Sequence, residues 1–170
     1  MSRQILLCVE TNSKARTDYQ YINETIHRFY VNDPKISYKP IFLESKSMYA
    51  SPKKQKEIGK YIKVYPEDTT VIYFIDLDDY DTNYETKKLF EDIKKYCETH
   101  AYELVFFCRD VEEVYLGKRV NDKDKVKEVK RFKSKKMIEM VLPQKLSQNE
   151  YKINGSNILN VLDKFWTRKH

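Results

Sequence analysis

Acidic residues directly follow apolar segments at three places in this sequence. Glu10 comes after the first such segment, and Asp76 and Asp78 come after the third. Glu112 lies shortly after the fourth. In an extended chain, side chains two positions apart lie on one side, so we expect the carboxylates of Asp76 and Asp78 to point the same way. Carboxylates brought together without Lys or Arg among them repel one another, and a hard cation such as Mg²⁺ removes that repulsion.

A second interpretation of the same acids involves no ligand. Acidic residues at the end of a strand are also suitable caps and first-turn residues for the following helix, where they interact favourably with its dipole. The residues Asp78 to Asp81 fit that role well. One acidic strand end alone favours this interpretation, whereas three in one chain favour a metal site.

The charge of the chain is unevenly distributed along its length. The formal net charge is +6, but residues 67–92 contain 9 Asp/Glu against 2 Lys, and residues 117–136 contain 10 Lys/Arg against 3 Asp/Glu. An acidic centre followed by a basic segment fits a polyanion held by the basic segment and divalent cations held by the centre. A solvated helix of mixed charge is the alternative explanation for the basic segment.

The composition excludes several classes of protein. The 170 residues include 14 Tyr and 8 Phe, enough for one ordered domain, and only 3 Gly, too few for a Gly-rich nucleotide loop. No apolar run is long enough for a membrane span and the N-terminus lacks a signal-peptide layout, so we expect a soluble cytoplasmic protein. The 3 Cys and 3 His show no ligand spacing, which argues against disulfides and zinc.

The apolar pattern predicts strands alternating with helices. We expect strands at residues 4–9, 36–43, 70–75 and 104–108. Helices are expected at 17–30, from Pro52 onward and at 84–99, with Thr17 or Ser13 capping the first of them. This alternation predicts right-handed βαβ units and a mainly parallel sheet covered on both faces. Pro40 indicates that the second strand lies at an edge.

The last third of the chain shows no strand signal. Residues 121–168 are predicted to be helical, with Asn154-Gly155-Ser156 as a break before a final amphipathic helix. We therefore expect one domain over residues 1–170, in which a core at 1–116 is followed by a basic helical extension at 117–170.

Four segments in this order resemble a Toprim domain, and more narrowly its RloB-like branch and the overcoming-lysogenization-defect nucleases. They are Val-Glu at 9–10, Thr-Asp-Tyr at 17–19, Asp-Leu-Asp at 76–78 and Val-Glu-Glu-Val-Tyr-Leu at 111–116. The resemblance spans about residues 3–116. It implies a Rossmann-like, three-layer α/β fold with a mainly parallel central sheet, to which this chain adds its helical C-terminal extension.

The resemblance also implies a reaction and the residues that perform it. Glu10, Asp76 and Asp78 match the catalytic, metal-binding acids of the family, and Glu112 matches a further acid in the RloB-like pattern. Together they imply a site for Mg²⁺ or Mn²⁺ that hydrolyses phosphodiester bonds in DNA or RNA, with water as the nucleophile.

Basic residues are expected to hold the phosphates of that substrate without reading its sequence. They are Lys14, Arg16, Arg109, Lys130, Arg131 and Lys133. The RloB-like branch is linked to bacterial antiphage defence, and related proteins often act with an ATPase, so an ATPase partner is a further expectation. No membrane association is expected.

Three alternatives remain open at the level of sequence. The family usually has Gly after its Glu and after its Asp-x-Asp pair, where this chain has Thr11 and Asp79, so one alternative is an inert Toprim-like module that binds nucleic acid or protein. A second is a metal-dependent glycosyltransferase with an Asp-x-Asp motif. A third, a phosphatase of the haloacid dehalogenase kind, would place that motif after the first strand rather than the third.

Overall fold

The computed structural model describes residues 1–170 and contains one five-stranded sheet with helices on both faces. The strands are β1 Arg3–Val9, β2 Ile36–Phe42, β3 Asp68–Asp76, β4 Glu103–Cys108 and β5 Gly155–Ser156. Their order across the sheet is β2-β1-β3-β4-β5; the first four are parallel and β5 is antiparallel to β4. The predicted α/β class with a mainly parallel sheet is confirmed, and β2, which contains Pro40, is an edge strand.

Six α-helices connect and cover these strands. They are α1 Thr17–Phe29, α2 Pro52–Val64, α3 Tyr84–His100, α4 Val111–Leu116, α5 Lys125–Ser134 and α6 Ile158–Leu162. Pro52 opens α2 after the Ser51 cap, as its fixed φ and missing N–H favour. The expected cap of α1 is wrong: Arg16 occupies that position in the left-handed region, with no side-chain hydrogen bond to the helix. None of the helices has the length and apolar character needed to cross a membrane.

The two faces of the sheet carry separate core clusters. Leu7 of β1 shares one cluster with Tyr21 of α1 and Phe132 of α5. Its neighbour Leu6 shares the other with Ile58 of α2 and Phe90 of α3. Because successive side chains of a strand point to opposite faces and both faces are covered, β1 is apolar throughout.

The C-terminal third differs from the helical extension that the sequence predicts. Gly155 and Ser156 pair with Cys108 and Phe107 as a two-residue antiparallel strand, and α6 ends at Leu162. A strand of two residues is too short to show a periodic pattern, which is why none was predicted. This segment also completes the cluster around Leu7, to which it contributes Val129, Phe132, Leu146, Leu159 and Trp166.

The direction in which the chain crosses the sheet reverses next to β1. The connection through α1 leads from β1 outward to β2, and the connection through α2 leads back past β1 to β3. The segments that follow β1 and β3 consequently leave on opposite faces, and ligands of open α/β sheets bind in the crevice that opens at such a point. Glu10 and Asp76 lie at this crevice.

Candidate functional site

Glu10 and Asp76 are joined directly across the edge of the sheet. The backbone N–H of Asp76 donates a hydrogen bond of 2.5 Å to Oε2 of Glu10. The register that pairs Val9 with Phe74 brings the ends of β1 and β3 side by side. Two of the predicted catalytic acids, which lie 66 positions apart in the chain, are therefore neighbours.

The Asp76 side chain also connects the sheet to α4. Its Oδ1 accepts a hydrogen bond of 3.1 Å from the N–H of Val111, the first residue of that helix. Asp110 caps the same helix, because its Oδ1 accepts from the N–H of Glu113 at 2.9 Å. Asp76 thus has a helix-end role of the kind that the ligand-free interpretation proposed, although the helix is α4 and not the helix that follows β3.

Asp78 departs from the extended geometry expected for the Asp-x-Asp pair. Its φ is 49°, in the left-handed region, so the strand ends before it. Its backbone N–H donates to the carbonyl of Arg109 at 2.7 Å, which holds this turn against the segment after β4. Neither Thr11 nor Asp79 has a positive φ, so neither backbone conformation requires glycine.

A lysine lies among these acids, contrary to the expectation that they have no basic neighbour. Lys46 follows β2 and comes from the same edge of the sheet. Its Nζ donates to the carbonyl oxygen of Asp76 at 2.9 Å and forms an ion pair with Oδ2 of Asp78. Burial opposes the charged form of Lys46, but Glu10 and Asp78 outweigh it and raise the pKa of the ammonium group.

A second lysine compensates Glu112 on the other side of the crevice. Glu112 is 0% exposed and neither of its carboxylate oxygens has a hydrogen-bond partner. The Nζ of Lys125, at the start of α5, lies 3.7 Å from its Oε2 and 3.5 Å from Oδ1 of Asp122. The carboxylate of Glu112 is therefore balanced in charge while its oxygens keep unused capacity to accept.

Burial raises the pKa of four acids at this edge. The pKa of Glu10 rises to about 8, with Lys46 opposing the effect of burial. The pKa of Glu112 rises to about 7 and that of Asp18, on α1, to about 6; burial is the main cause in both, and Lys125 opposes it. Burial, then the nearby Glu10, raises the pKa of Asp76 well above its usual range. Even with two lysines present, burial makes the ionised forms of these acids costly.

A polar cleft of about 260 Å³ opens beside Asp78. Its lining residues are all charged: Asp78, Asp79, Arg109, Asp110, Glu113 and Arg119. The cleft places the predicted phosphate contact Arg109 next to the acids. A separate cavity of about 430 Å³ among Tyr30, Tyr38 and Trp166 contains none of the predicted site residues.

The other predicted phosphate contacts fall into two groups. Lys14 and Arg16 are exposed in the segment after Glu10, where the Arg16 guanidinium lies 5.3 Å from the centre of the Phe42 ring. Lys130, Arg131 and Lys133 are exposed on α5. We call the edge of the sheet that carries Glu10, Asp18, Asp76 and Glu112 the acidic edge. Because α5 begins at Lys125, which contacts Glu112, this basic helix starts at the acidic edge.

The donor atoms fit a hard divalent cation, but their present arrangement does not form a metal site. All candidate ligands are carboxylate oxygens, the type that Mg²⁺ prefers, and the buried oxygens of Glu112 lack partners. No group of three or more His, Cys, Asp or Glu side chains is arranged to hold a metal ion. Oxygens of the other candidates are engaged: Glu10 with the Asp76 amide, Asp76 with the Val111 amide and Asp78 with Lys46.

The sequence analysis did not assign three residues to this site: Asp18, Lys46 and Lys125. Lys46 follows the carboxyl end of a parallel strand, so the rule that identified the acids would have identified it as well. Lys125 lies within a run of basic residues and has no distinguishing signal.

No family model, curated protein or solved structure matches the chain.

Proposed function

We propose that this protein is a Mg²⁺- or Mn²⁺-dependent nuclease of the Toprim type that hydrolyses phosphodiester bonds in DNA or RNA. The observation that carries the proposal is the meeting of acids from β1, β3 and α4 at the point where the chain reverses across the sheet. Burial raises the pKa of these carboxylates, so their ionised forms are costly without a counter-charge, and a bound cation would supply one.

The residues of the chain supply complementary parts of the reaction. Asp76, Asp78 and Glu112 would hold the cation, which when bound polarises the scissile phosphate. Glu10, whose pKa burial raises to about 8, changes its protonation state just above neutral pH, so it is suited to exchange a proton with the attacking water or the leaving oxygen. Arg109 lines the adjoining cleft, where its guanidinium is placed to pair with a phosphate oxygen.

The first test is cleavage of labelled single- and double-stranded DNA and RNA in Mg²⁺ or Mn²⁺. We expect the wild-type chain to cut at least one of these substrates, and Asp76→Asn or Glu10→Gln to lower the rate about 100-fold or more. Asp92→Asn, the same change at an exposed position of α3, is the matched control and should leave the rate unchanged. Intact substrates under every condition would show that the protein is not a nuclease.

A second candidate function is an inert Toprim-like module that binds nucleic acid or protein. The observation that favours it is the presence of Lys46 and Lys125 among the acids, since they supply counter-charge from within the chain. Isothermal titration with Mn²⁺ separates the two candidates. Heat of binding that disappears in Asp76→Asn supports the nuclease; no heat in either protein supports the inert module.

A further inference from the structure

Lys46 is held by the same kinds of oxygen atom that a divalent cation would need. Its ammonium group contacts the Asp78 carboxylate and the Asp76 carbonyl, and it is the strongest electrostatic partner of Glu10. Its side chain is only 16% exposed. We propose that Lys46 is a built-in counter-ion that competes with a divalent cation for these oxygens, and so sets the cation concentration at which the site fills. This inference rests on the proposed function.

The location of Lys46 permits it to leave these contacts without disturbing the sheet. It begins a single 3-10 turn, Lys46–Met48, in the segment between β2 and α2. The flanking residues Ser45 and Ser47 are exposed, and β2 is an edge strand. A lysine side chain on such a segment can turn outward into solvent by rotation about its own bonds, because its flexible four-carbon stem has many rotamers.

The second lysine of the site is held differently. Lys125 is positioned by Glu112 on one side and by Asp122 on the other, and it opens α5, a helix whose Val129 and Phe132 are fully buried. The packing of α5 therefore fixes the backbone of Lys125. Of the two lysines, Lys46 is the one whose ammonium group directly occupies oxygens of Asp76 and Asp78, so we assign the competition to it.

The acceptor atoms of Glu112 give independent support for a ligand at this edge. The side chain is 0% exposed, both oxygens lack hydrogen bonds, and its charge raises the pKa of Asp76. Buried polar atoms in proteins are satisfied in the great majority of cases, and the ammonium group of Lys125 at 3.7 Å is too distant for a hydrogen bond, so these oxygens can accept a further ligand. Its oxygens add to those that Lys46 would release.

Competition for one set of oxygens has a reciprocal consequence. Whatever weakens the hold of Lys46 on these oxygens strengthens the binding of the cation, since the two occupants exclude each other. Lys46→Met removes the charge and keeps a flexible apolar stem of similar length. We expect it to bind Mn²⁺ about tenfold more tightly than the wild-type chain, or tighter still.

The experiment is isothermal titration calorimetry, in which Mn²⁺ is titrated into the wild-type protein, Lys46→Met and Lys53→Met. Lys53 is an exposed lysine at the start of α2, so its substitution changes the net charge equally without touching the acidic edge. The same three proteins are then unfolded by heat in EDTA and in Mn²⁺. In EDTA we expect Lys46→Met to unfold at a lower temperature than wild type, because its acids lose their counter-ion, and Mn²⁺ should reverse that loss.

Each outcome decides one of the two proposals. Tighter Mn²⁺ binding by Lys46→Met alone, together with rescue of its unfolding temperature, supports the competition. Equal Mn²⁺ affinity in all three proteins overturns the competition and leaves the nuclease proposal standing. Absence of Mn²⁺ binding from all three overturns the nuclease proposal and the competition with it. If Lys46→Met does not fold, Lys46→Gln, which keeps a donor for the Asp76 carbonyl, replaces it in every arm.

Discussion

Each half of the acidic edge has its own ammonium group. Lys46 forms an ion pair with Asp78 and interacts electrostatically with Glu10, and Lys125 forms an ion pair with Glu112. Removing Lys125 leaves the buried Glu112 carboxylate without compensation, whereas Asp78 is 49% exposed and stays solvated when Lys46 is removed. In the absence of a cation, the stability of the protein therefore depends on the protonation of these acids.

Glu112 provides a test of that dependence. Its folded-state pKa of about 7 lies above the ordinary value of 4.5, and Lys125, Asp18 and Asp110 are the charged groups around it. Because the folded state holds this proton more tightly than the unfolded state, the contribution to stability is complete below about pH 4.5 and is lost as the pH rises through 7.

We therefore expect the free energy of unfolding in EDTA to fall between pH 5 and pH 8. Urea titrations at several pH values measure it. In Glu112→Gln the fall should be smaller by roughly 1–3 kcal/mol, since the amide cannot ionise. Glu139→Gln, at an exposed position, should follow the wild-type curve. Identical curves for wild type and Glu112→Gln would show that Glu112 does not titrate in this range.

The backbone hydrogen bonds on the outer side of β4 are made partly by β5 and partly by a side chain. The two residues of β5 pair only with Cys108 and Phe107. Further along β4, Asn157 takes over: its Oδ1 accepts from the N–H of Phe106 at 2.9 Å and its Nδ2 donates to the carbonyl of Leu104 at 3.0 Å. An amide has one acceptor and one donor group, so it can pair with a strand edge as a peptide unit does.

Asn157→Ala should destabilise the protein by about 1–3 kcal/mol, because two backbone groups of β4 lose their partners. Chemical denaturation monitored by circular dichroism measures this change. Asn32→Ala, at an exposed position, should stay within about 0.5 kcal/mol of wild type. An equally small effect of Asn157→Ala would mean that water replaces the side chain on this edge.

Across the whole molecule, opposite charges are concentrated on adjoining regions. The acids lie at the carboxyl edge of the sheet, and α5 extends from that edge with exposed Lys130, Arg131 and Lys133. A polyanion bound along α5 would be led toward the acids, where the proposed cation balances their repulsion. The same net charge spread evenly over the surface would not direct a substrate to one place.

Replacing all three of these residues with Gln should weaken nucleic-acid binding by a similar factor for every sequence tested. The slope of log K against log salt concentration should also become shallower, by about 0.7 for each phosphate of a single strand that the variant no longer neutralises. Fluorescence anisotropy with labelled oligonucleotides at several salt concentrations measures both quantities. The triple change Lys53, Lys56 and Lys60→Gln on α2 removes equal charge from exposed positions and is the control. Equal effects of the two triple variants would show that α5 is not a specific part of the surface that binds nucleic acid.

Much of this architecture follows from local pattern and general topology. Four apolar runs separated by amphipathic helices predict β1 to β4 and a mainly parallel sheet, because one face of each helix must be buried against the sheet. Pro40 identifies the edge strand because it cannot donate to a second neighbour. The meeting of Glu10 with Asp76 follows from the same rule, since parallel strands end at one edge.

The sequence by itself determined four parallel strands, the helices on both faces of the sheet and the edge at which the acids collect, but not β5. Only the tertiary structure decided how those acids are balanced: Lys46 reaches Asp78 across 32 positions, Lys125 reaches Glu112, and the turn at Asp78 is left-handed. Periodicity reports whether a residue faces the core, and it carries no information about which distant side chain it meets. Ion pairs between separate elements depend on how loops are folded over the sheet, so they emerge only when the whole chain is assembled.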